Sequence, residues 1–119
     1  MPDWKHPRRI DDPDLLSRLH IEWRGECAVF ELGDCVPRTS LHHVHKHPRD
    51  DLRENLAPVC GSGTTGHHGK LEAHNQLVCE AFGHYLMQER PDVMFYLAAK
   101  LGSQQALAWV DRYLLRGSA

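Results

Sequence analysis

Apolar residues recur with helical spacing near the start of this chain and again over its second half, with a differently patterned stretch between. Leu15, Leu16 and Leu19 fall on one face of a short helix. Asp12-Pro13 supplies its start, a carboxylate cap followed by a proline at the first helical position, and the helix should end near Gly25. Residues 1–10 are polar, with prolines at 2 and 7, and read as an extended arm. Leu71, Leu77, Val78, Phe82 and Leu86 predict a helical region from about Leu71 to Gln88. Pro91-Asp92 opens a further helix with Val93, Tyr96, Leu97 and Leu101 as its apolar face. Gly102-Ser103 stops that helix and caps a last one, in which Leu107, Val110 and Leu114 form the buried stripe.

The stretch between the helices is built differently. Cys27-Ala-Val-Phe30 is a short strand or the first arm of a zinc knuckle, and Gly33-Asp34 a turn. Ser40-Leu-His-His-Val-His45 alternates as a strand does, and Asn55 to Cys60 is apolar but too short for a helix. Lys46 to Glu54 is charged, contains Pro48 and reads as a solvent loop. Gly61-Ser-Gly-Thr-Thr-Gly66 must be a tight loop. The predicted fold class is α+β: a motif-bearing core over 27–88, one N-terminal helix, and two C-terminal flanking helices over 91–116. No repeat, low-complexity tract or linker divides the 119 residues, so a single domain is expected.

Composition changes this picture in one respect. The apolar share of 41% and charged share of 25% are ordinary for a globular protein. No apolar run reaches membrane-spanning length and no signal peptide is evident, so a cytoplasmic protein is expected. A net charge of -2 gives no global positive field to attract nucleic acid. Histidine is the anomaly: of ten, seven lie between His42 and His74. Histidine is the commonest metal ligand and the usual base near neutral pH. With no secretory signal, Cys27, Cys35, Cys60 and Cys79 point to metal binding or burial before disulfides.

The informative residues come in a fixed order: Leu41-His-His-Val44, Asn55-Leu56, then Cys60-Gly-Ser-Gly-Thr-Thr-Gly-His-His-Gly69. This order resembles the HNH (ββα-metal) endonuclease motif, with His43, Asn55 and His68 at its three named positions. The phrase CGSGTTGHHG is similar to small HNH proteins encoded by bacteriophages and prophages. The resemblance implies an endonuclease hydrolysing DNA phosphodiester bonds and leaving 5′-phosphate and 3′-hydroxyl ends. Little sequence specificity is expected, since no recognition helix or finger array is present. Host cytoplasm would be its setting, and a phage packaging protein is a candidate partner.

The resemblance also assigns roles. His42 is a metal ligand and His43 the general base; adjacent strand residues face opposite ways, so the two cannot share one task. Asn55 would accept a hydrogen bond from the other ring nitrogen of His43 and fix its tautomer. His68 is the second ligand. Glu72, four residues on along a helix, shares its face and is the candidate third ligand, with His74 as an alternative. Mg²⁺ or Mn²⁺ is the working ion the family implies, while two imidazoles and a carboxylate suit Mn²⁺, Ni²⁺ or Zn²⁺.

Cys27, Cys35, Cys60 and His67 are candidates for a separate structural zinc site. Phe30 stands where a tight knuckle needs cysteine, so Cys27 and Cys35 as buried small hydrophobes remain the competing reading. Cys79 belongs to the core. Lys46, Arg49 and Arg53, in the loop between motif elements, are the candidate DNA contacts, while Arg8, Arg9 and Lys70 read as solvated. His45, His47 and His84 read as exposed polar residues, and Trp4, Trp23 and Trp109 as packing residues. A non-catalytic zinc module that binds a protein partner or DNA is the alternative function.

Overall fold

The computed structural model describes residues 9–46 and 48–115, apart from the side chain of Leu115. The expected arm therefore lies almost wholly outside the described residues, as do His6, Arg8, Trp4 and His47. The described chain is α+β: five helices and a two-stranded antiparallel sheet. Helix α1 spans Pro13–Glu22, strand β1 Thr39–His43 and strand β2 Leu56–Cys60. Helices α2 (Gly66–Glu72), α3 (Gln76–Glu89), α4 (Pro91–Leu101) and α5 (Ser103–Leu115) follow. Among the described residues no helix is long and apolar enough to cross a membrane.

Local chemistry explains most of the boundaries. Asp12 caps α1, its side chain accepting from the Leu15 backbone N–H at 3.0 Å. Pro13 and Pro91 occupy first turns, where a missing N–H costs nothing. Gly102, at φ +91, turns the chain between α4 and α5. The single helix expected over Leu71–Gln88 is instead two. His74 adopts the left-handed region at φ +61, and Asn75 caps α3 by accepting from Val78 N–H at 3.2 Å.

The hairpin pairs His42 with Ala57 and His43 with Leu56. One face of it packs on Phe82, Leu86, Val93, Leu97, Val110 and Tyr113, the core that α3, α4 and α5 build on one another. A smaller cluster joins Leu19 and Trp23 to Leu56. Cys79 is fully buried in the main core.

Several burial expectations are overturned. Leu77 and Leu107 are 68% and 56% exposed; the buried stripe of α5 is Ala106, Val110 and Tyr113. Cys27–Phe30 forms no strand but a turn leading into a 3-10 turn at Phe30–Leu32. His45 is buried, its ring 4.7 Å from that of Trp109, because the chain turns inward after β1. The Lys46–Glu54 loop is not simply solvated: Asp50 and Asp51 are buried within it. Asp50 accepts from Ile10 N–H at 2.9 Å, Tyr96 O–H at 2.7 Å and Lys100 Nζ at 2.7 Å. These partners replace the water that an isolated buried carboxylate would forfeit. They staple the loop to the segment before α1 and to α4.

Candidate metal centres

Two pairs of adjacent histidines generate the sites, and backbone geometry divides each pair. On β1, His42 turns toward the helices, with rings of Phe82 and His68 beside it, while His43 turns toward the Asp50–Asp51 loop. On α2, successive side chains diverge by roughly 100° around the axis. His67 consequently joins the cysteines and His68 joins His42.

Cys27, Cys35, Cys60 and His67 converge so that one ligand atom of each lies within 4.8 Å of the others. His67 Nδ1 is 3.6 Å from Cys27 Sγ, 3.6 Å from Cys35 Sγ and 3.3 Å from Cys60 Sγ. The glycine-rich loop makes the approach possible. Gly61 lies at φ +96, and a Cβ there would come within 2.0 Å of the Thr65 carbonyl oxygen. A Cβ on Gly69 would meet the Thr64 backbone at 2.5 Å. Cys35 is exposed, which does not suit a small core hydrophobe. Partial desolvation on its inner side and the neighbouring sulfurs push the Cys35 thiol up to about 12, burial raises Cys27, and Cys60 is lowered, its burial outweighed by backbone N–H groups. Three thiols so crowded do not ionise together without a cation among them, and a tetrahedral Cys₃His donor set is one that zinc takes. The cluster therefore fits a metal-binding, zinc-type site.

The second constellation is His42, His68 and Glu72, again with one ligand atom each within 4.8 Å. His42 Nδ1 is 3.1 Å from Glu72 Oε1 and 3.4 Å from His68 Nε2. His68 and Glu72 face the same way because they are four apart on α2, with 3.5 Å between Nε2 and Oε1. Burial holds His42 down to about 4 and lowers His68, so both rings are neutral near pH 7, the form that coordinates. Glu72 is lowered by the His42 ring and Lys46, against its own burial. His74 is exposed, lies beyond the break after α2 and is not among the converging atoms; it lines only the outer cavity of about 200 Å³ beside Glu72.

Asn55 makes no hydrogen bond to the His43 ring, contrary to the expected role; its backbone carbonyl accepts from Val44 N–H at 2.9 Å. Its carbamoyl oxygen accepts from His45 N–H at 2.9 Å, and its amide donates to the carbonyls of His45 and Asp50 at 2.9 and 3.0 Å. Asn55 ties the loop together instead. The partner of His43 is Asp51, whose Oδ1 lies 2.8 Å from Nε2. Burial, opposed by Asp51, leaves the His43 ring below its ordinary value and hence neutral.

The candidate DNA contacts fare differently. Arg53 makes a two-point ion pair with Glu22 at 2.8 and 2.6 Å and lies over the Trp23 ring, so it is engaged elsewhere. Lys46 donates to both Glu72 oxygens at 2.8 and 2.7 Å, beside the second constellation. Arg49 is exposed, donates its Nε to His43 Nδ1 at 3.1 Å, and its charge also bears on His68. Asp51, Ser40 and Tyr113, which contact the candidate residues, went unnoticed in the sequence. Ser40 alone carried a signal, since it stands two positions before His42 on the same strand face. No family model, no curated protein and no solved structure matches this chain.

Proposed function

We propose that this chain is a metal-dependent endonuclease of the HNH (ββα-metal) type that hydrolyses DNA phosphodiester bonds. One observation carries the reading: a hairpin and the helix after it converge His42 Nδ1, His68 Nε2 and Glu72 Oε1. The next strand residue, His43, is a neutral imidazole anchored by a buried carboxylate. Two imidazoles and a carboxylate fit Mn²⁺, Ni²⁺ or Zn²⁺ on donor chemistry, and Mg²⁺ on family resemblance alone. These three residues would hold the ion, which when bound would supply positive charge beside the scissile phosphate and the departing oxygen.

The chain's own residues account for the rest. His43 Nε2–H donates to Asp51, which leaves the Nδ1 lone pair to accept a proton from water. The water oxygen bonds to phosphorus as the bond from phosphorus to the 3′ oxygen breaks, and solvent protonates that oxygen. Arg49 Nε sits on His43 Nδ1 in the free protein and cannot accept a proton. A phosphate draws a guanidinium by charge-assisted, two-point hydrogen bonds, which uncovers the base as substrate arrives. The Cys₃His cluster braces the loop from which α2 starts.

A second reading has one observation in its favour. Lys46 gives Glu72 a cation belonging to the chain itself, at 2.8 and 2.7 Å. In a non-catalytic zinc module that ion pair would be permanent and only the cysteine cluster would hold metal. Supercoiled plasmid separates the two. The nuclease reading expects nicked or linear product with Mn²⁺, Mg²⁺ or Ni²⁺ and none with EDTA. Intact plasmid with every ion, from folded zinc-loaded protein, would favour the module.

A further inference from the structure

The sheet and the last helix determine which nitrogen of each imidazole ligand is available. His42 Nε2 lies 3.2 Å from the Tyr113 hydroxyl, and that hydroxyl lies 3.3 Å from the Val44 carbonyl oxygen. On the other ligand, His68 Nδ1 contacts the Ser40 hydroxyl, which lies 3.4 Å from the Val59 carbonyl oxygen. The two arrangements have the same logic. A carbonyl only accepts, so a hydroxyl that donates to it offers its lone pair to the imidazole N–H. The opposite ring nitrogen then carries the free lone pair: Nδ1 in His42 and Nε2 in His68. Those are the two atoms that converge with Glu72.

We propose that Tyr113 and Ser40 are positioning residues for the ion, each relaying the far N–H of one imidazole ligand to a backbone carbonyl. The proposal rests on the reading of His42, His68 and Glu72 as a metal site. His42 and His68 are only 3% and 7% exposed, so water does not readily replace either hydroxyl. Without its relay, a ring that coordinates through the inner nitrogen keeps an unpaired buried N–H. Helix α5 thereby becomes part of the metal site, although its residue lies 71 positions from the ligand it orients.

The test is Mn²⁺ titration calorimetry on the full zinc-loaded chain, with no reference to cleavage. Tyr113→Phe and Ser40→Ala are each expected to weaken Mn²⁺ binding by about 10–100-fold. Ser40→Thr, which restores a hydroxyl, should return to within about threefold of the parent. Trp109→Phe is the structural control: Trp109 donates to the same Val44 carbonyl at 3.0 Å but makes no hydrogen bond or ring contact with His42, His68 or Glu72. It should leave the affinity unchanged. Parent-like affinity in Tyr113→Phe and Ser40→Ala overturns the relay while leaving the metal site standing. An equal loss in Trp109→Phe also overturns it, since the effect would then follow general loosening of α5. A parent protein that binds no Mn²⁺ overturns the metal-site reading and the relay with it.

Discussion

His43 and Asp51 are bonded across a buried gap, Nε2 to Oδ1 at 2.8 Å, with both residues nearly closed to solvent. Asp51 is itself held from the other side, its Oδ2 accepting from the Asp12 N–H at 2.9 Å and its own N–H donating to the Ile10 carbonyl at 2.8 Å. The N-terminal segment thus steadies the carboxylate that steadies the imidazole. A base fixed in one tautomer and one orientation loses no free energy to rearrangement when water presents its proton.

From this pairing, Asp51→Ala should lower kcat for plasmid nicking by about 10²-fold or more while KM changes little. Asp51→Asn keeps a carbonyl acceptor for the ring N–H and should retain more activity than the alanine variant. Steady-state kinetics on the two variants make the check. Equal kcat in parent and Asp51→Ala would remove Asp51 from the mechanism.

Asn55→Ala should act on stability before chemistry. It strips partners from the His45 N–H and from the carbonyls of His45 and Asp50, all in a fully buried setting. Unpaired buried backbone groups cost about 1–3 kcal/mol each when water cannot enter, so a loss of roughly 3 kcal/mol is expected in urea unfolding. A variant as stable as the parent would show that the loop does not depend on this side chain.

The cysteine cluster predicts a tightly held zinc that survives dialysis. Cys60→Ser and His67→Ala should lose it and unfold at lower temperature, because the ion and the glycine-rich loop support each other. Cys79→Ala should retain zinc, since Cys79 is a buried core residue outside the cluster. Metal content by atomic emission, read beside melting curves, distinguishes these variants.

Acid should destabilise the fold through the imidazoles. Burial holds His42 at about 4 and lowers His43 and His68, whereas unfolding returns each toward an ordinary value of 6.5. Over that interval the unfolded chain binds more protons, so stability is present above pH 6.5 and is lost as the pH falls toward 4. A buried histidine contributes at most about 1.4 kcal/mol per pH unit to this slope. The unfolding midpoint of His42→Gln should therefore fall less steeply than the parent's between pH 6.5 and 5. Zinc loss by thiol protonation is common to both proteins and cancels in the comparison.

What the sequence could disclose was local. Asp12-Pro13, Pro91 and Gly102 act within a turn of themselves, so their effects could be read without tertiary knowledge. The histidine pairs were legible for the same reason, because strand alternation and helix rotation assign neighbours to different sides. Asp51 was hidden by the charged loop around it, whose composition resembles that of a solvated segment. Its burial depends on Ile10, Asp12 and His43, and the Asp50 beside it depends on Tyr96 and Lys100, all distant along the chain. The break at His74 was equally hidden, since the apolar spacing continues across it and only a left-handed backbone interrupts the helix. Asn55 was misread in its contacts: the loop required its amide, and His43 found a carboxylate instead.

The central claim is that His43 takes a proton from water and does not hold the ion, and His43→Ala tests it most directly. Nicking of supercoiled plasmid should fall by about 10²–10⁴-fold in this variant. Its Mn²⁺ affinity and zinc content should stay close to the parent's, while its melting temperature falls because the buried Asp51 Oδ1 loses its partner. Parent-rate nicking by folded His43→Ala would contradict the account.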